Sequence, residues 1–357
     1  MAKKLFILAP YPLGKAPSQR FRFEQYMNYF SELGFDVEFH PFLNDKTWST
    51  LYVQGSFFKK SFGMIGSFWR RFLLLFRLRK ATKIIIHREA SMIGPALFEW
   101  TIAKILRKKY IYDFDDAIWL PNFSESNAKF HRLKAYAKVK RIIKWAETVN
   151  AGNEYLKNYA LRFNSNVAVF PTTIDLKNVH NKTTNHSAEP VIIGWTGTHT
   201  TMHYLDFLIP ILKELETEYN FIFRVISNEE PKYDLKSLEF LKWNKSSEIE
   251  DLAKFSMGVM PLTDTIWAKG KCGFKGLQYM ALEIPSIMSP IGVNKSIIDH
   301  GVNGFLCADS TEWKATIKQL LHDAELRKII GKAGKKTIKE RYSVEANESI
   351  YAKILTH

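Results

Sequence analysis

The sequence predicts an α/β protein built from two doubly wound domains with parallel sheets, facing each other across a cleft. Three observations predict it. Apolar runs alternate with amphipathic stretches along both halves of the chain; a polar, aperiodic segment separates the halves; and 357 residues exceed the usual size of one hydrophobic core.

In the first half, "KLFILAPYP" reads as a buried strand. Lysines precede its apolar run, as in a signal peptide, but the run stops at Pro10 after a few residues, which favours the strand. "RFRFEQYMNYFSELG" reads as a helix closed by Gly34, and "DVEFHPF" as the second strand. "KIIIHRE" and "KKYIYDFDDAIW" are further strands, the latter ending in carboxylates. "TVNAGNEYLKNYA" is a strand running into a helix, and "VAVFPTTID" is the last strand of this half. "NVHNKTTNHSAEP" then reads as the linker. The pattern restarts with "PVIIGWTGTHTTMHYLDFLIPILKELE", a strand, a glycine turn and a helix. "FIFRVIS", "MGVMPLT" and "PSIMSP" are strands; "SSEIEDLAKF" and "KCGFKGLQYMALE" are helices. The expected domains are residues 1–180 and 181–340, with a final helix within 341–357 that packs back on the first domain. In such sheets ligands sit at the carboxyl ends of the strands, so motifs there carry the chemistry.

The composition, 46% hydrophobic and 24% charged, is that of a soluble globular protein. No apolar run reaches the roughly 20 residues that span a bilayer. Cys272 and Cys307 have no metal-ligand spacing and read as structural thiols in a reducing compartment. The net charge of +15 is one-sided. Residues 1–180 hold 29 Lys+Arg against 14 Asp+Glu, whereas residues 181–357 hold 22 of each. That split predicts an anionic partner for the first half. No acidic residue occurs between Lys46 and Arg88, a stretch containing "SFFKKSFGMIGSFWRRFLLLFRLRKATK". Aromatic and aliphatic residues mixed there with basic ones match an interfacial segment, with Arg70, Arg71, Arg77, Arg79 and Lys80 facing lipid headgroups; the alternative is a core-packing helix with a solvated basic face.

Four motifs lie at expected strand ends. In "GWTGTHTT", Gly197 and Thr198 form a turn in which a backbone could approach a phosphate at a helix start, although threonines there also serve as plain N-caps. In "KCGFKGLQYMALEIP", Lys271, Lys275 and Gln278 share one helical face opposite Phe274, Leu277 and Ala281. Lysines at a helix start oppose the helix dipole, so they suit a diphosphate better than they suit stability. "DFDDAIW" places Asp113 and Asp115 on one face of a strand and Asp116 on the other, as functional carboxylates or as caps. In "PSQRFRFEQY", Arg20 and Arg22 follow the first strand, placed either to clamp a ligand or to remain solvated.

Together these motifs resemble the GT-B glycosyltransferases, most closely the family-4-like enzymes of bacterial polysaccharide and glycan assembly. "APYPLGKAPSQRFRFEQY", "VFPTTIDL" and "GWTGTHTTMHYL" carry the resemblance in the family's order over nearly the whole chain. The family's signature pair of glutamates is missing: aligned on "YMALEIP", the second falls on Gln278 and the first near Gly270. The resemblance implies a nucleotide-binding second domain in which Gln278 meets the ribose and Gly197, Thr198, Lys271 and Lys275 meet the diphosphate. Asp115, beside Asp116, falls where many relatives have a histidine, so these two and Lys271 are the expected catalytic groups, with Arg20 and Arg22 binding the acceptor.

The implied reaction is retaining glycosyl transfer from a nucleoside diphosphate sugar to a hydroxyl of a lipid-linked or growing glycan. It calls for no metal or other cofactor, and for a cytoplasmic protein peripheral at the inner face of the membrane. A nucleotide-sugar epimerase and a nucleic-acid-binding protein are the alternatives, and no recognised nucleic-acid motif supports the second.

Overall fold

The computed structural model describes residues 3–51, 57–121 and 131–356; residues 52–56 of the acid-free stretch lie outside the described residues. Two compact units divide the chain: Met1–Thr172 with Glu348–His357, and Thr173–Asn347.

The first unit holds a six-stranded sheet of β1 (Lys3–Ala9), β2 (Phe35–Pro41), β3 (Lys83–His87), β4 (Ile111–Phe114), β5 (Thr148–Ala151) and β6 (Val167–Val169), ordered β2-β1-β3-β4-β5-β6. Every pairing is parallel. The second unit repeats the design with β7 (Ile192–Thr196), β8 (Ile222–Ser227), β9 (Leu238–Lys242), β10 (Met257–Met260), β11 (Ser286–Met288) and β12 (Phe305–Leu306), ordered β12-β11-β10-β7-β8-β9 and again parallel. The ten strands expected from the apolar runs are all present. β9 and β12 are additional, and both lie at sheet edges. Strand order reverses beside β1 in one sheet and beside β7 in the other. In doubly wound sheets, crevices open at such switch points.

The linker residues form no helix or strand, yet they are pinned to the second unit. Thr184 donates its N–H to Leu282 O and its hydroxyl to Phe255 O, and the Arg327 guanidinium donates to His186 O. The last helix, Val344–Thr356, enters the first unit at Glu348. There the Tyr351 ring packs 4.4 Å from Phe170, 4.8 Å from Tyr26 and 4.9 Å from Phe30, measured between centroids.

Of the arginines of the long helix Phe57–Arg77, Arg71 departs from the expected outward placement, whereas Arg70 and Arg77 are exposed but also bonded to the unit. Arg71 is buried and donates to His40 O and Ala9 O, fastening the helix to β2 and β1. Arg70 donates to Phe42 O and to the Ser67 hydroxyl, and Arg77 pairs with Glu38. The reason is backbone geometry: carbonyls at and just beyond the strand ends need donors, and arginine reaches several at once.

A second departure concerns Arg22. It is fully buried, with Nε and Nη2 donating to the two oxygens of Asp113 at 2.8 and 2.5 Å and Nη1 donating to Phe170 O. Asp113 also accepts from His87 Nδ1 at 2.7 Å. Burial opposes ionisation of Asp113, but Arg22 and the hydrogen bonds outweigh it and hold the carboxyl below its usual range. A group of this sign stabilises the fold above its unfolded pKa, about 3.9, and loses that contribution as pH falls. Arg22→Met is therefore expected to cost about 3–5 kcal/mol near neutral pH by stranding a buried carboxylate. The deficit should narrow as pH falls below about 4 in urea titrations, because wild type then loses a contribution that the variant no longer has. A deficit that stays constant with pH would mean that Arg22 acts by packing alone.

Candidate functional site

In the second unit the site grows from the strands at the switch point. β7 and β10 pair over two positions, Ile193 with Met257 and Gly194 with Gly258. Beside them the Tyr279 hydroxyl accepts from Thr196 N–H at 3.1 Å and donates to Val259 O at 3.5 Å, bridging the two strand ends. Its ring lies where a Cβ on Gly258 would be 2.3 Å away, so glycine is required at that position. Burial raises the Tyr279 phenol well above its ordinary value, so it stays a neutral bridge.

Tyr279 belongs to the helix Phe274–Ala281, which follows the β10 loop and carries Lys275 and Gln278. Lys275 Nζ lies 5.4 Å from the centroid of the buried Trp195 ring, which is on β7. A Cβ on Gly197 would meet that indole at 2.5 Å and Lys275 Cε at 2.9 Å. Gly197 thus matters through its missing side chain, which leaves a slot for the lysine stem. Its own amide is bonded within the unit: Gly197 N–H donates to Ile226 O, and His199 N–H to Asn228 Oδ1. Thr198 is exposed and is the N-cap residue of the four-residue helix His199–Met202, its hydroxyl 2.8 Å from that of Thr200. Lys271 precedes the lysine helix rather than sharing its face, and its Nζ lies 5.9 Å from the Trp267 centroid. The two ammonium groups therefore rest on different indoles, contacts that favour a cation. Gln278 is buried, with Nε2 3.4 Å from His180 Nε2. Its amide faces the linker, because the helix turns this position inward together with Leu277 and Ala281.

In the first unit the strand alternation ends at Phe114. Asp113 goes inward to Arg22, while Asp115 and Asp116, expected on opposite faces, converge on one cation. Arg88 donates from Nε to Asp115 at 2.7 Å and from Nη2 to Asp116 at 2.9 Å. Its backbone is left-handed (φ 59°), held by Arg88 N–H to Asp113 O and by the Tyr112 hydroxyl to Arg88 O. Burial works against the charge on Arg88, but the two aspartates more than offset it and hold the guanidinium firmly protonated. Arg88 had not been singled out; the signal was the charged "HRE" that closes an otherwise apolar strand. Arg20 is half-buried with its guanidinium 5.0 Å from the Phe21 ring centroid. Arg22, inside the core, is out of reach of an acceptor. Among the described residues no group of three or more His, Cys, Asp or Glu is placed to hold a metal ion.

Residues 190–323 match the family model of glycosyl transferases group 1, which takes in the Gly197 turn and the whole lysine helix. The human alpha-1,3/1,6-mannosyltransferase ALG2 is 33% identical over 81 residues, 22% of this chain and 20% of that protein. The chain thus matches about a fifth of the length of this curated relative. Sucrose-phosphate synthase from Thermosynechococcus elongatus has a similar structure (TM-score 0.70, 12% identity), covering 99% of this chain and 98% of that one. Anabaena HepE, solved in complex with UDP-glucose, gives a TM-score of 0.69 at 14% identity and full coverage of both chains. The lipopolysaccharide outer core galactosyltransferase WaaB, in its apo form, gives 0.59 at 13% identity and 99% coverage of both. The resemblance to GT-B glycosyltransferases is borne out, in fold over the whole chain and in family over residues 190–323.

If Arg88 exists to hold two carboxylates at one place, its energy is coupled to theirs. Arg88→Met is expected to cost about 1.5–3 kcal/mol of stability. Most of that loss should vanish in a background already carrying Asp115→Asn and Asp116→Asn, a cycle read by denaturation. Equal losses in both backgrounds would reduce the contact to proximity.

Proposed function

We propose that the chain transfers a glycosyl group from a nucleoside diphosphate sugar to a hydroxyl acceptor. The observation that carries the reading is the meeting of Gly197 and Lys275 at the β7/β10 switch point, within the residues that match the glycosyltransferase family. As the glycosidic bond breaks, charge develops on the departing diphosphate, and a cation positioned in advance stabilises that charge. In this reading Lys275 and Lys271 exchange their indole contacts for phosphate oxygens, so no metal is required. Gln278 reaches a ribose only by giving up its contact with His180. Asp115 and Asp116, aligned by Arg88, receive the acceptor hydroxyl, and Arg20 supplies a further donor to the acceptor.

The acceptor in this proposal is a lipid-linked or growing glycan, met at the inner face of a membrane. WaaB, named for lipopolysaccharide outer core, supports that class of acceptor, and HepE, solved with UDP-glucose, supports the class of donor. Retention at the anomeric carbon belongs to the same reading.

A thermal-shift panel of UDP-, GDP- and dTDP-sugars tests the donor. A ligand that binds only the folded state raises the melting temperature by mass action. If no sugar nucleotide shifts it, the proposal fails at its first step. With a donor in hand, Lys275→Ala should weaken the nucleoside diphosphate by roughly 1.5–3 kcal/mol in calorimetry and leave the nucleoside nearly unchanged. Equal losses for both would place Lys275 outside the diphosphate site.

A further inference from the structure

The helix Phe57–Arg77 is inside out for a helix that packs on its own domain. Phe58, Phe62, Ile65, Trp69, Phe72 and Phe76 follow one another at spacings of four, three, four, three and four, the repeat of a single helical face. All six face solvent, between 46% and 77% exposed. The opposite face, carrying Ser67, Arg71, Leu74 and Leu78, is the buried one. Trp69 and Phe72 stack at 5.8 Å and Phe72 meets Phe76 edge-on at 5.6 Å, so these three rings are in contact and the other three residues extend their line as a ridge. From Phe58 to Phe76, eighteen residue steps, it runs about 27 Å. Soluble surfaces rarely leave so long an apolar strip uncovered.

We infer that this ridge lies in the plane of an anionic lipid surface, with its aromatic rings inserted and the basic residues around it at headgroup level. Charge selects this occupant over a second copy of the chain. Lys59, Arg79 and Lys80 are exposed around the ridge, and no acidic residue occurs from Lys46 to Arg88. Two copies meeting ridge to ridge would bring like charges together, whereas anionic headgroups complement them. The ridge is too polar on its other face to cross a bilayer, and none of the helices described is long and apolar enough to do so. Lying flat is what an amphipathic helix of this kind does, with the apolar face buried about 5–10 Å into the headgroup boundary. Because Arg70, Arg71 and Arg77 are engaged with the domain itself, adhesion comes from the ridge first and from charge second.

This deepens the membrane part of the proposed function, but its test needs no catalysis. The full-length protein is sedimented with phosphatidylethanolamine vesicles, with and without phosphatidylglycerol. Wild type should bind the phosphatidylglycerol vesicles and keep part of that binding at about 0.5 M salt, where charge is screened beyond roughly 4 Å. The triple variant Trp69→Ser/Phe72→Ser/Phe76→Ser should bind about tenfold more weakly or worse, with an undiminished melting temperature. Lys59→Glu/Arg79→Glu/Lys80→Glu should lose the preference for phosphatidylglycerol. The inference is overturned if wild type stays in solution at low salt, or if the serine variant binds as wild type does. It is also overturned if ultracentrifugation finds a dimer that the serine variant splits, with no vesicle binding. Vesicle binding without any sugar-nucleotide thermal shift would remove the transferase proposal and leave this one standing.

Discussion

Asp113 is the residue around which the first unit is organised. Its carboxylate takes two hydrogen bonds from Arg22 and one from His87, and Arg22 also caps the carbonyl of Phe170. One buried charge thus ties β3 and β4 to the segment after β1 and to the end of β6. The consequence reaches the candidate site. With Asp113 committed inward and the strand ending one residue later, Asp115 and Asp116 turn toward Arg88 instead of continuing the alternation. The Asp113 carbonyl in turn accepts from the Arg88 amide, helping to hold that residue in its left-handed conformation. Such a conformation costs about 1–3 kcal/mol for a non-glycine residue and persists only where its surroundings determine it.

The second unit meets a similar demand with uncharged groups. Tyr279 spans the ends of β7 and β10, and the glycines on those strands make room for aromatic rings, Phe255 over Gly194 and Tyr279 over Gly258. Against that framework Lys275 and Lys271 each lie over an indole, a contact that suits a cation. The two candidate sites therefore differ in kind: one holds carboxylates around an arginine, the other sets lysines against aromatic rings.

The sheets were legible in the sequence because both faces of a parallel sheet are covered, which writes each inner strand as a short apolar run. The two strands that escaped are edge strands. β9 mixes charge and apolar residues because it is only half-buried, and β12 has just two residues. Arg22 reads as a ligand clamp or a solvated side chain, and Asp113 as a functional carboxylate or a cap, because a buried ion pair is spelled with the same letters as two separate charges. Their separation of 91 positions hides the partnership. The Gly197 turn was found for a reason the structure replaces: the glycine serves side-chain clearance, and its amide is already bonded. The long helix shows the limit most directly. Periodicity reveals two unlike faces but not which one is turned inward, and here the face carrying Ser67, Arg71 and Leu74 is inside.

That inversion changes what the net charge means. The excess of +15 lies in the first half, and it already nets Arg22 against Asp113 and Arg88 against two aspartates; of these arginines only Arg71, held by strand carbonyls, is a net cation taken inside. A charge count therefore does not say where on the surface a partner would feel the field. What remains distinctive is local: a long run without acids, exposed lysines and an arginine, and beside them an apolar ridge that the fold leaves bare. Charge alone would describe a surface that attracts any polyanion, nucleic acid included. Bare aromatic rings in a row add a requirement that a nucleic-acid backbone does not meet over about 27 Å and that a lipid surface does.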